Sequence, residues 1–415
     1  MTVSHLPYAS IAVIGAGPAG LMVAEQLSSQ GYSVSVYDRM PMPGRKFLMA
    51  GRGGLNLTHS ETLTQFLQRY GEAQAFLSPK ISAFSPDELR AWCDGLGEAS
   101  FIGSSGRVFP KSFKASPLLR AWLRRLETQD VKFFMRHEWK GWADNGALRF
   151  QKFDRSEDFI KPDAVVLALG GASWPKLGAT GEWQSLIRER GIAVTPLTAS
   201  NVGVKVAWSE HFVSRFSGQP LKRLILSCGE HHAQGEAMIA SYGLEGGALY
   251  ALGPAMRAAI EHEGSATLWL DLRRDFSESE LIARLKKPRG KKSLSTFLSS
   301  AAGLDSVSIA LLRESFLLRG DRLPDHAQDL AQAIKACKLI VRETQGLDRA
   351  ISSAGGIARD EIDHELMIKK MPGVFVAGEM IDWDAPTGGY LLQACFSTAV
   401  NAARGVARWL TKPVS

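Results

Sequence analysis

Apolar and polar positions alternate along this chain in patterns that mark three strand ends, each closed by glycine. The first, Ile11-Ala-Val-Ile14, runs into Gly15-Ala-Gly17-Pro18-Ala19-Gly20, and alternation resumes in Tyr32-Ser-Val34-Ser-Val36-Tyr-Asp38. This reads as strand, glycine turn, helix, strand and acid. The second, Asp163-Ala-Val-Val-Leu-Ala-Leu169-Gly170-Gly171, is continuously apolar, as a buried parallel strand requires. The third, Gly373-Val-Phe-Val-Ala-Gly378-Glu379, lies near the carboxy terminus and precedes a predicted helix from about Leu391 to Leu410. Signals split between the two ends predict one α/β nucleotide domain, residues 1–195 and 346–415, interrupted by an insertion over 196–345. Within the insertion, 197–272 carries short apolar stretches (Val202 to Val206, Leu224 to Ser227, Thr267 to Leu270) between glycine breaks, which predicts a small antiparallel sheet or barrel. Residues 277–336 shift to helical spacing.

The first turn has the chemistry of a dinucleotide clamp. Gly15 permits a tight exit from the strand, Gly17 lets backbone approach a pyrophosphate, and Gly20 lets the helix pack closely on the sheet. The helix opened by Pro18 and Ala19 presents N–H groups and a partial positive charge to phosphate, while Asp38 can accept hydrogen bonds from a ribose diol. A cationic, glycine-rich segment follows: Arg39-Met-Pro-Met-Pro-Gly44-Arg45-Lys46, then Gly51-Arg52-Gly53-Gly54-Leu55-Asn56-Leu57-Thr58. Arg45 and Lys46 can neutralise phosphate, and Asn56 and Thr58 can bond a ribityl chain or a flavin edge. At the other end, Gly388-Gly389-Tyr390 opens the last helix. Its N–H groups can meet the flavin N1–C2=O edge and stabilise the charge that develops there on reduction.

Length, charge and cysteines narrow the class. At 415 residues the chain exceeds one core, so two or three domains are expected. No apolar run approaches the roughly eighteen residues of a membrane span, and the first ten residues lack a basic start and an apolar signal core. A cytoplasmic protein without a membrane partner is therefore expected. Cys93, Cys228, Cys337 and Cys395 form no CxxC or metal-type cluster, which argues against structural zinc, a disulfide framework and a dithiol reductase. Net charge is +7, and the densest charge run, Arg284-Leu-Lys286-Lys287-Pro-Arg289-Gly-Lys291-Lys292, places six cations in nine residues of the insertion. RNA is thus a candidate partner beside a small molecule; the oligomeric state is left open.

The glycine loop ending Asn56-Leu57-Thr58 resembles that of the BaiN-like FAD-dependent oxidoreductases, which are related to rRNA dihydrouridine synthases and to proteins labelled aminoacetone oxidase. The resemblance extends to Gly106-Arg107-Val-Phe-Pro110, to the segment Ala168–Gly181 with Gly170, Gly171 and Trp174-Pro175-Lys176, and to Gly378-Glu379-Met-Ile-Asp382-Trp383-Asp384 through Gln393. It implies a three-layer Rossmann-like FAD-binding domain interrupted by a β-barrel-like plus helical domain, and FAD bound non-covalently. It places Gly378 and Glu379 near the ribityl phosphate and Asp382 near the flavin end. The implied activity is hydride transfer between flavin N5 and a small or planar unsaturated substrate. Reduction of uridine in rRNA and oxidation of an amine are the alternatives. Only one glycine-triplet clamp is present, so NADPH or NADH, if the donor, visits the flavin transiently. Many relatives read Gly-Gly-Gly-Arg-Cys-Asn-Leu-Thr where this chain has Leu55, so a thiol acid at that position is lost, and no catalytic residue is assigned. Of the remaining candidates, Trp174, Trp383 and Tyr390 are possible pocket walls, Arg107 an anion anchor or an ion-pair partner, and His59 an acid or a capping group. Cys395 reads as a buried hydrophobe, His231-His232 as a solvated turn, and Ser116-Pro117 as a helix cap.

Overall fold

The computed structural model describes residues 9–51 and 53–411; Arg52 and most of the amino-terminal segment read for a targeting signal lie outside the described residues. The chain divides into two compact units, Met1–Thr198 with Ser352–Ser415, and Ala199–Ile351, against sequence junctions expected at 195/196 and 345/346.

The first unit is built on a five-stranded parallel sheet. Its strands β1 (Ser10–Ile14) and β2 (Ser33–Asp38) are joined by helix α1 (Pro18–Ser28). The order across the sheet is Val374–Val376, Ala164–Leu167, β1, β2 and Lys132–Met135. Ile11 to Ile14 pair in register with Ala164 to Leu167 on one side and Val34 to Tyr37 on the other. The carboxy-terminal strand therefore joins a sheet begun at the amino terminus, and all four residues of Ala164–Leu167 are buried, as the continuous apolar run requires. One face carries α1 and the helix Tyr390–Thr411, which matches the expected 391–410 to a residue at each end. On the other face an antiparallel meander (His137–Trp142, Leu148–Lys152, Glu157–Ile160) supplies the third layer. Tyr37 anchors it, stacked on Phe134 (4.7 Å) and on Phe150 (4.5 Å).

Between β2 and Lys132 lie helix α2 (Arg45–Ala50), the short strand β3 (Thr58–His59) and helix α3 (Leu63–Gln68). The helix at Ser116 starts two residues earlier than its serine-proline signal suggests. It spans Ala115–Thr128 with Lys114 at the cap position, so Ser116 and Pro117 lie inside its first turn, where proline's missing N–H costs nothing.

The second unit is a six-stranded antiparallel sheet in the order Val204–Lys205, Gly243–Glu245, His231–Ala240, Pro220–Cys228, Ala266–Asp271, Cys337–Val341. Its two edges meet: Val204 bridges Thr344, and the Lys205 N–H donates to the Glu343 carbonyl (2.9 Å), closing the sheet into a barrel-like ring. The sixth strand follows the helical segment and has no glycine signal of its own, so the sequence pattern stopped short of it. Helices Glu278–Leu285, Leu294–Ala302, Ser306–Leu317 and Ala327–Lys335 fill the expected helical region. Three helices inside the β-rich region, Glu210–Phe216, Gly247–Tyr250 and Gly253–Glu263, were hidden by flanking glycines and serines. His231 and His232 open a strand instead of forming a turn, both exposed. Among the described residues no single helix is long and apolar enough to cross a membrane.

Leu226 is fully buried in this second core and pairs with Leu270 across the sheet. Leu226→Ala is expected to lower the unfolding free energy of this unit by about 2–5 kcal/mol, read by urea denaturation.

Candidate functional site

Strand β1 ends where Gly15 takes φ +110° and its N–H donates to the Tyr37 carbonyl (2.8 Å). A Cβ at Gly15 would stand 2.3 Å from the Ala168 carbonyl oxygen, and one at Gly20 would stand 1.8 Å from that of Gly15. Both positions are closed by packing. Gly17 differs: it caps α1 with φ −83°, and a Cβ there would have no neighbour within 4 Å. Its side faces a cleft of about 300 Å³ lined by Gly15, Gly17, Pro18, Ala19, Asp38 and Arg39, and farther along by Arg45, Lys46, Gly170 and Glu379. An α-helix amino terminus approachable only because residue 17 lacks a side chain is the form a pyrophosphate seat takes.

Charges around the cleft divide into bound and unbound. Asp38 accepts from the N–H of Ala16 (2.7 Å) and of Met40 (2.7 Å), so it braces the glycine turn as well as facing the cleft. Burial raises its pKa above the ordinary carboxylate value in spite of those two bonds. Arg39, expected among the cofactor-binding residues, lines the cleft and reaches across its rim to Thr180 (3.0 Å) and Glu182 (3.0 Å), a strap joining two walls. Lys46 is engaged as well, its Nζ donating to Glu379 (2.7 Å) and Ser173 (2.6 Å). Arg45 is not. Its Nε is buried and without a partner among the described residues, so one cation remains to meet an anionic ligand.

Farther along, the glycine loop packs against the start of the helix Tyr390–Thr411. Leu55 N–H donates to the Phe113 carbonyl (2.8 Å) and Leu57 N–H to that of Val108 (2.9 Å), and both side chains are fully buried. Residue 55 thus faces the core. Leu57 has only its backbone to offer a ligand, and Thr58 donates its hydroxyl to Gln393 (2.8 Å), which corrects its assignment to a flavin edge. Asn56 does not line the cleft, and its Oδ1 is buried without a partner among the described residues. Gly388 and Gly389 have φ +130° and +97°, and a Cβ on Gly389 would lie 2.5 Å from the Thr58 Cα. Gly171 and Gly378 are packing glycines, their Cβ positions 1.7 Å from Ser353 Oγ and 2.8 Å from Ala19 Cβ.

Several expected site residues have structural partners instead. Asp382 accepts from the Thr195 hydroxyl (2.7 Å), and buried Trp383 donates to the Gly378 carbonyl (2.9 Å). Tyr390 is buried, donating to Glu61 (2.6 Å). None of these three, nor Trp174, lines the cleft. Arg107 is exposed on its strand, and the His59 ring lies against Gly106 with Nε2 3.0 Å from the Ser105 carbonyl. Cys395, read as a core hydrophobe, does line the cleft; burial, reinforced by the neighbouring Glu379 charge, pushes its thiol up to about 12. Glu61, Arg69, Ser173 and Ser353 were missed. Glu61, Ser173 and Ser353 act through partners distant in sequence, and Arg69 acts through Glu61, so no local motif announces them.

With this geometry in view, the protein-family model described as HI0933-like protein Rossmann domain matches residues 9–405. The chain belongs to this family. It is an FAD-dependent oxidoreductase. Among its relatives, the 3-dehydro-bile acid delta(4,6)-reductase of Clostridium scindens is 24% identical over 96% of this chain and 98% of its own length. The ribosomal RNA dihydrouridine synthase of Haemophilus influenzae is 23% identical over 97% and 99%. In fold, the 3-ketosteroid-delta4-(5alpha)-dehydrogenase of Rhodococcus jostii aligns over 98% of both chains with a TM-score of 0.51 at 14% identity. The orphaned Arg45 Nε and the open side of Gly17, both on the cleft, fit a bound FAD.

Gly17→Ala and Gly20→Ala separate access from packing. Gly17→Ala is expected to fold with a melting profile like the parent apoprotein while losing FAD affinity at least about tenfold, as one misplaced contact to a charged group would produce. Gly20→Ala is expected to destabilise the apoprotein itself. Thermal melts and FAD titration of both variants read the difference.

Proposed function

We propose that this protein reduces a conjugated carbon–carbon double bond in a small, planar, unsaturated substrate, with NADPH or NADH as transient donor. The observation that carries this reading is the end-to-end likeness to a reductase named for such a bond, together with a chain holding one glycine-triplet clamp. When bound, FAD supplies hydride chemistry at N5.

The residues divide that work. The amino terminus of α1 and Arg45 hold the pyrophosphate, with Gly17 admitting it and Arg39 strapping the rim. Asp38, fixed by two backbone N–H groups, orients the ribose. Asn56 and the amino terminus of the helix Tyr390–Thr411 hold the flavin edge, where preorganised dipoles stabilise developing negative charge.

A second reading, reduction of uridine in ribosomal RNA, is favoured by one observation. The cations of the run 284–292 are exposed, and among the described residues none forms an ion pair with an acid. Arg284 stacks over Phe276 (4.1 Å), Arg289 donates to the Lys292 carbonyl (2.9 Å) and Lys292 to the Ser300 hydroxyl (3.4 Å), and all six cations stay exposed, a surface suited to phosphates. Two relatives carry the name ribosomal RNA dihydrouridine synthase.

Anaerobic stopped-flow mixing with NADPH or NADH is expected to bleach the bound flavin at about 450 nm. Re-oxidation by a steroid-like enone faster than by unmodified ribosomal RNA supports the first reading, and the reverse order supports the second. Bleaching by amines but by neither nicotinamide removes both in favour of an oxidase.

A further inference from the structure

The helix that follows the flavin-edge glycines is held at its first residue by a charge pair outside the cleft, its carboxylate shielded and its arginine half exposed. Glu61 precedes α3 and Arg69 follows it, so the short helix brings the two together. Arg69 donates Nε to Glu61 Oε1 (3.2 Å) and Nη2 to Oε2 (2.8 Å). The same carboxylate accepts the Tyr390 phenol (2.6 Å), and Tyr70 donates to the Tyr390 carbonyl (2.8 Å). Both polar ends of Tyr390 are therefore gripped by one segment, with His59 stacked on its ring (5.6 Å, 19°) and Phe66 against it (4.8 Å).

Packing alone would hold a phenylalanine here, so the acid calls for another reason. The Glu61 side chain is only 10% exposed against 52% for Arg69, and burying a carboxylate is costly unless it is paired. Burial alone would raise the Glu61 pKa, but hydrogen bonds from Arg69 and Tyr390 outweigh it and hold the group below the ordinary glutamate value. An unpaired carboxylate beside the positive end of a 22-residue helix would cancel part of that end's field; a bidentate arginine restores it.

We propose that Glu61 and Arg69 are positioning residues that fix Tyr390 and keep the flavin-edge end of its helix positive, so that each partner biases the oxidised-to-reduced balance of bound flavin in the opposite sense. The inference rests on the flavin edge lying at that helix end.

The test equilibrates the FAD-loaded full-length protein anaerobically with a redox dye at fixed poise and reads both spectra. Arg69→Gln leaves a lone carboxylate and is expected to raise the oxidised-to-reduced ratio roughly threefold. Glu61→Gln leaves the arginine and is expected to lower the ratio, by less, because solvent and salt screen the half-exposed cation. Arg69→Lys, which keeps the charge, is expected to restore the parent ratio. Shifts of the same sign in both charge variants, or no shift in either, would reduce the pair to a structural brace and overturn the proposal. A parent protein that retains no flavin would instead defeat the assignment of the cleft.

Discussion

The ion pair between Lys46 and Glu379 ties this molecule together. The two residues are 333 positions apart, yet Nζ and Oε2 lie 2.7 Å from each other, with side chains 26% and 12% exposed. Lys46 also donates to Ser173, while the second Glu379 oxygen accepts the Ser353 N–H (2.9 Å), and Ser353 Oγ accepts from Ala172 (3.0 Å). Four chain segments thus converge on one shielded pair: α2, the turn after Ala164–Leu167, the strand Ser352–Ile357 and the turn after Val374–Val376. Removing either charge would leave the other without its ion partner at the cleft wall, at a cost below the about 3–5 kcal/mol of a fully buried pair because both groups keep some access to solvent. A nucleotide domain whose halves are separated by more than 150 residues is stitched at this point, beside the cleft it must shape.

That engagement redistributes the work of the cationic loop. Lys46 faces a carboxylate and Arg39 a strap of Thr180 and Glu182; of the three, Arg45 alone has a buried nitrogen lacking a partner among the described residues, which supports its proposal as the phosphate-facing charge. Its guanidinium also favours the charged form of Asp38, without offsetting the rise in pKa that burial imposes there. Adding a dianionic pyrophosphate next to Arg45 would satisfy the orphan nitrogen, and Asn56 repeats the pattern at the far end of the loop.

What could be read from the chain follows from range. The clamp Gly15, Gly17, Gly20 and Asp38 was legible because backbone sterics and a strand-end acid are local requirements, and the continuous runs at 163–169 and 373–378 were legible because parallel strands buried on both faces admit few polar residues. The family resemblance carried the cofactor's identity. Illegible were the partners that only tertiary structure supplies: Gln393 for Thr58, Thr195 for Asp382, Glu61 for Tyr390. The strand Cys337–Val341 was missed for the same reason, since it completes a sheet begun 130 residues earlier.

We propose that this cleft holds FAD through its pyrophosphate, with Arg45 as the responsible cation. Calorimetric titration of apoprotein, parent and Arg45→Met, with FAD and with riboflavin, tests it most directly. The account predicts that the substitution weakens FAD binding by roughly ten- to a hundredfold, as the loss of a charge-assisted hydrogen bond implies, and leaves riboflavin binding unchanged. Equal losses for both ligands, or none for FAD, would contradict it.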